Sequence, residues 1–217
     1  MTPANARLSK DRVLGCVLAG GQSRRMGGGD KTLIDLNGKS MLEIILDRLN
    51  PQVSQIVLNA NGDPERFAQF RLPVEPDPIG GFAGPLAGVL AGLDHARRNL
   101  PHVSHVVSVA GDTPFYPSNL VDRFLEAAPG DKPVIALASS SDKLHPVFGL
   151  WPVALYNDLH DWLSTGQSGK VLAFVDRHDS IEVGFELDQA TGLDPFFNAN
   201  RPDDLETARN AASLLSS

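Results

Sequence analysis

A chain of 217 residues with 42% hydrophobic composition can bury a core of its own and sits near the upper end of what one domain occupies. Its formal charge of -7 and pI of 5.3 exclude the broad basic field on which nucleic-acid binding depends. The one cysteine, Cys16, lies in the apolar run VLGCVLA, which excludes a disulfide framework and a thiolate metal cluster and fits a reducing cytoplasm.

The opening MTPANARLSKDR lacks an apolar signal core, and no later apolar run approaches the length needed to cross a bilayer. The sequence therefore predicts a cytoplasmic protein without a membrane partner. No repeat or low-complexity tract interrupts it, so one domain over residues 1–217 is expected, with 1–11 as a flexible N-terminal extension.

In chain order, β-branched runs predict strands at 13–19 and 55–59, with a helix over 40–49 between them. Asp63 can cap and Pro64 suits a first turn, which predicts a short helix there. LPVEP reads as a brief strand. Pro85 opens PLAGVLAGLDHARR, a small-residue helix whose Leu86, Val89, Leu90 and Leu93 share one face and should pack tightly on a sheet. A strand over 105–110, a helix over 118–128 and a strand over 133–138 come next. HPVFGLW, after SSSDKL, reads as an antiparallel strand; helices near 153–163 and 170–176, a strand over 181–185 and a helix from Pro202 complete the chain. Near-continuous apolar strands separated by helices predict an α/β fold: a three-layer, Rossmann-like domain with a mostly parallel central sheet.

Ligands of such sheets sit beyond the carboxyl ends of the strands, so function is read from the residues just after each strand. The first strand runs into VLAGGQSRRMGGGDKT, where five glycines accompany Arg24, Arg25 and Lys31. Glycine lets backbone amides approach an anion and the cations supply countercharge, which suits a polyphosphate; as a glycine-rich stretch alone it reads equally well as a solvated surface loop. Two familiar phosphate loops fail on spacing. Asp30 stands before Lys31 where the Walker pattern needs glycine, and GGQSRRMG does not supply G-x-G-x-x-G.

The string LAGGQSRRMGGGDK instead resembles the signature loop of nucleotidyltransferases, in detail that of the molybdenum cofactor guanylyltransferases. The resemblance continues through Leu36-Asn37-Gly38-Lys39, Val57-Leu58-Asn59-Ala60-Asn61, Gly84-Pro85-Leu86-Ala87-Gly88, Asp112-Thr113-Pro114, His145-Pro146 and Phe197-Asn198-Ala199-Asn200, covering residues 13–210. Leu18-Ala19-Gly20-Gly21, where the related cytidylyl and isoprenoid-precursor enzymes usually carry LAAG, favours GTP over CTP. Two departures are Gly111, where some members have Cys, and Asn200-Arg201-Pro202-Asp203-Asp204 in place of N-T-P-E-E.

The resemblance implies transfer of GMP from GTP to the phosphate of molybdopterin-bound molybdenum cofactor, with release of pyrophosphate. It assigns nucleotide contacts to Leu18, Ala19, Gly20, Gly21, Lys31, Asn59, Asp77 and Asp112, a catalytic role to Lys31, Asp112 and Arg25, and Mg²⁺ to Asp112. His145, Asn198 and Asn200 fall on the acceptor side. Molybdoenzyme clients or cofactor chaperones join GTP and the molybdopterin-type acceptor as candidate partners. Residue by residue the plainer readings stay open: Lys31 as a solvated loop lysine, Arg25 as an ion-pair residue, Asp112 as a turn former before Pro114, Asp77 as a turn residue between two prolines, His145 as structural and Asn-x-Asn as a turn. The alternative activities are a cytidylyl- or sugar-phosphate nucleotidyltransferase of the same fold, or a non-catalytic nucleotide or pterin carrier.

Overall fold

A computed structural model describes residues 8–20, 30–80, 84–130 and 132–215. The β-branched runs form β1 (Val13–Leu18), β2 (Gln55–Asn59), β3 (Val74–Glu75), β4 (His105–Ala110), β5 (Ile135–Ser140), β6 (Lys143–Pro152) and β7 (Ser180–Gly184). They make one sheet in the order β3-β2-β1-β4-β6-β5-β7. β6 pairs antiparallel with both β4 and β5, and the remaining pairs are parallel.

Alternating side chains of the strands face two separate helical layers. Val13 and Val17 of β1, Ile56 and Leu58 of β2, and Val107 and Val109 of β4 share a core with α1 (Met41–Leu49), α3 (Leu120–Ala127) and α6 (Pro202–Leu215). On the other face Leu14, Cys16, Val57 and Val106 pack with α2 (Pro85–Asn99), α4 (Tyr156–Ser164) and α5 (Val171–Val175). Each fully buried Leu or Phe in these layers contributes about 1.5–3 kcal/mol. The three-layer α/β architecture expected from the alternation of elements is therefore present.

Local chemistry explains the element ends that matter for the site. Ser40 and Glu43 close a reciprocal capping box at the start of α1. Small residues bring α2 against the sheet: a Cβ on Gly92 would stand 3.0 Å from Cys16 Sγ. The helix begun by Asp63 and Pro64 is a 3-10 helix over Pro64–Phe70, ended by Arg71 at φ 53°. β5 and β6 run further than expected, through Ser140 and Lys143, because the turn between them needs only Ser141 and Asp142, both left-handed at φ 47° and 60°. At the amino end, Lys10–Arg12 form a 3-10 turn and Lys10 pairs with Asp122 at 2.8 Å. No helix among the described residues is long and apolar enough to cross a membrane.

Candidate active site

β1 lies between β2 and β4, so the chain reverses its direction of travel across the sheet at β1, and the crevice opens beyond the carboxyl ends of these strands. The strand ends are laced together there. Gly111 N donates to Leu18 O at 3.0 Å, and Ala19 N donates to Asn59 O at 2.9 Å. A Cβ on Gly111 would stand 2.9 Å from Leu18 O and 2.8 Å from Thr32 Cγ2, so a larger residue here would have to shift the Leu18 backbone as well as Thr32.

Lys31 reaches into that crevice from a 3-10 turn (Lys31–Leu33) whose cap, Asp30, accepts from Thr32 N at 3.1 Å. Its Nζ donates to Asp112 Oδ2 at 3.0 Å and also to Asn200 Oδ1. The lysine side chain is only 12% exposed, which removes the reading of a solvated loop lysine. Asp112 lies just past β4; the hydroxyl of Thr113 is 3.2 Å from its Oδ1 and also bonds Asn198 Oδ1. Ala199 N donates to Asp112 O at 2.9 Å. Lys31, Asp112, Asn198 and Asn200 thus form one hydrogen-bonded cluster, although 169 positions separate Lys31 from Asn200.

A second platform forms at the end of β2. Asn59, 5% exposed, donates from Nδ2 to Asp77 Oδ1 at 2.9 Å and to Glu75 O at 3.2 Å. Asn61 grips the same residue twice: its Nδ2 donates to Asp77 Oδ2 at 2.7 Å and its Oδ1 accepts from Asp77 N at 2.9 Å. Both carboxylate oxygens of Asp77 are oriented by amides, and each keeps a lone pair for a further donor. Gly88 makes room for this arrangement, since a Cβ there would collide with Asn59 and stand 2.7 Å from Leu18 Cδ2.

His145 lies further along the same edge. Ser140 Oγ is 2.7 Å from His145 Nε2 and donates to Asp194 Oδ2 at 2.7 Å. A carboxylate accepts only, so the hydroxyl proton points to Asp194 and Nε2 carries the imidazole proton, leaving the Nδ1 lone pair free of this network. Burial holds His145 below its ordinary pKa against the opposing charge of Asp194, so the ring is neutral at pH 7. The ring stacks on Phe196 at 4.5 Å. Residues 194–200 thereby connect His145 with the Lys31 cluster: Asp194 holds Ser140, Ala199 and Asn198 hold the Asp112-Thr113 corner, and Asn200 holds Lys31.

Leu18, Ala19 and Gly20 stand at the carboxyl end of β1, while Gly21 and Arg25 lie outside the described residues. Ser140, Asp194 and Arg66 belong to the networks around the site but carry no local sequence pattern that would single them out.

Residues 15–181 match the MobA-like NTP transferase domain. This chain belongs to that family. The transferase is 51% identical over 205 residues to a molybdenum cofactor guanylyltransferase of Mesorhizobium japonicum, covering 94% of this chain and 97% of the relative. It is 46% identical to the protein of that name from a Bradyrhizobium species, over 93% and 94% of the two chains. Among solved structures, molybdopterin-guanine dinucleotide biosynthesis protein A from Archaeoglobus fulgidus superposes with a TM-score of 0.69 at 23% identity, over 92% of this chain and 98% of that one. The 4-diphosphocytidyl-2C-methyl-D-erythritol synthase of Anaerococcus prevotii does so at 0.68 and 15% identity, over 97% and 100%. These two likenesses speak for the nucleotidyltransferase fold, shared by guanylyl and cytidylyl enzymes.

The donor set of the transferase suits a hard divalent cation held mainly by its substrate. Among the described residues no group of three or more His, Cys, Asp or Glu side chains converges. Asp112 alone offers a carboxylate, 31% exposed, at the cluster. Mg²⁺ is held in this way, by one or two carboxylates with phosphates and water completing its shell.

Proposed function

We propose that the protein transfers GMP from GTP to the phosphate of molybdopterin-bound molybdenum cofactor, forming the guanine dinucleotide cofactor and releasing pyrophosphate. The observation that carries this reading is the Lys31-Asp112-Asn200 cluster at the switch point of a nucleotidyltransferase sheet. The name shared by the guanylyltransferase relatives supports GTP and the acceptor.

Negative charge gathers on several oxygens when an acceptor phosphate attacks the α-phosphorus, so positioning and charge neutralisation dominate. Lys31, poised by Asp112 and Asn200, meets the phosphates as a fixed cation. Arg25 shares that role in this reading. Asp112 would hold Mg²⁺, which would offset charge on the transferring group. Main-chain amides from Gly20 onward meet the phosphates in this reading, while the Ala19 amide, donated to Asn59 O, fixes the strand end they start from. Asp77, oriented by Asn59 and Asn61, accepts from the two donors on the Watson-Crick edge of guanine. His145, Asn198 and Asn200 line the acceptor side. The protein acts in the cytoplasm as one nucleotidyltransferase domain over 1–217, and molybdoenzymes or cofactor chaperones receive the product.

Incubation with GTP, Mg²⁺ and metal-loaded molybdopterin should release pyrophosphate and give a product heavier than the acceptor by one GMP, read by mass spectrometry. Asp112→Asn should lower turnover by about 10²–10³-fold in a variant that still folds and unfolds cooperatively on heating. A product formed faster from CTP would move the protein to the cytidylyl branch, and tight binding without pyrophosphate release would make it a carrier.

A further inference from the structure

The phosphate end and the base end of the site are carried by separate segments, and one guanidinium joins them. Arg66 lies on the 3-10 helix that Asp63 caps. Its Nε donates to Asp30 Oδ2 at 2.8 Å, and its Nη2 donates to the carbonyl of Asn61 at 2.8 Å. Its Nη1 donates to the carbonyl of Asp63, and the guanidinium carbon lies 4.6 Å from the centroid of the Phe67 ring.

Each partner of Arg66 leads to one end of the nucleotide site. The other oxygen of Asp30 accepts from Thr32 N at 3.1 Å and from Thr32 Oγ1 at 2.7 Å, fixing the turn that presents Lys31. Asn61, whose carbonyl Arg66 holds, clamps Asp77 through both the nitrogen and the oxygen of its side-chain amide. A continuous path therefore runs from the Lys31 turn through Asp30, Arg66 and Asn61 to Asp77. The link is not an exposed ion pair of negligible strength: the side chains of Asp30 and Arg66 are 10% and 28% exposed. The three contacts come from three different nitrogens spread across the guanidinium, a span that the single ammonium nitrogen of lysine does not cover.

We propose that Arg66 is a positioning residue that couples phosphate binding to base discrimination, by holding the Lys31 turn in fixed register with the Asn61-Asp77 platform. The proposal rests on the reading that Lys31 meets the phosphates and Asp77 meets guanine. Base discrimination is then sensitive to residues that never touch the base.

The test compares Kd for GTP with Kd for ITP, which lacks the 2-amino donor, in the parent, Arg66→Lys, Asp30→Asn and Asp77→Asn proteins, with thermal unfolding recorded for each. Arg66→Lys keeps the charge and the aliphatic stem and serves where Arg66→Ala fails to fold. Arg66→Lys and Asp30→Asn should each lower the ITP-to-GTP Kd ratio by about threefold or more, the size of coupling that such networks carry. The Asp30 variant is decisive, because Asp30 sits on the phosphate side of the link. An equal loss of affinity for both nucleotides, with the ratio kept, would overturn the coupling while Asp77→Asn still lowers the ratio. A parental ratio in Asp77→Asn would remove the base reading itself, and the proposal with it.

Discussion

Lys31 and Asp112 are charged partners of each other before any substrate arrives, and this has a measurable outcome. The 3.0 Å contact places the ammonium on the carboxylate proposed to hold the metal, so a divalent ion alone must compete with a fixed cation. Lys31→Ala should tighten binding of Mn²⁺ alone by about tenfold, corresponding to loss of a partly buried like-charge neighbour, while weakening GTP. Titration of Mn²⁺ by paramagnetic resonance, beside GTP calorimetry, measures both signs; looser Mn²⁺ binding in the variant would show that the lysine does not oppose the ion. Lys31, Asn59 and Asp112 could be singled out in the sequence because each lies beyond or at a strand end and within a quotable motif, whereas Asp77 came only with the family resemblance. Arg66, Ser140 and Asp194 could not be singled out. Their partners lie 36, 5 and 54 positions away, and a pair of polar side chains joined only by folding leaves no periodicity to read.

At the scale of elements, β2 and β4 were readable to the residue, since each is a short apolar run bounded by turn or cap chemistry. The β5–β6 hairpin was not, because Ser141 and Asp142 adopt left-handed backbone without the Asn-Gly pair that announces such turns. Helix α1, expected over 40–49, forms over Met41–Leu49. Its first turn depends on Ser40 and Glu43, and the Ser40 hydroxyl and amide hold the Glu43 carboxyl below its ordinary pKa. Ser40→Ala should therefore cost about 1 kcal/mol of stability, measured by denaturant unfolding. Turnover should remain at the parental level, since among the described residues the Ser40 hydroxyl bonds only Glu43, and the backbone bond from Met41 N to Ile34 O, which ties α1 to the Lys31 turn, does not use it; a loss of turnover larger than the loss of stability would place α1 in the catalytic machinery.

In the whole molecule the sheet is clamped between two cores, and a charge introduced on a buried strand costs stability. His105 opens the central strand β4, is buried, and has its Nδ1 2.9 Å from Ser104 Oγ. Burial, helped by the charge of Arg12, pushes its pKa down from 6.5 to about 4. The unfolded chain binds that proton more readily than the folded one, so the stability contributed by neutral His105 is full above pH 6.5 and drains as pH falls toward 4. Between pH 7 and pH 5 the parent should lose about 2 kcal/mol more than His105→Gln, measured by urea unfolding at both pH values; parallel losses would show that another group carries the acid sensitivity. The strap formed by residues 194–200 bears on the order in which a ribosome delivers the molecule. β1 to β4 emerge early, yet Lys31 waits for Asn200, Asp112 for Ala199 and Ser140 for Asp194. At 5–20 residues per second, the 169 positions between Lys31 and Asn200 take roughly 8–34 s to translate. Until Asn200 is made, the contacts by which the strap fixes Lys31, Asp112 and Ser140 do not all exist, so an unfinished chain cannot grip nucleotide in the completed geometry.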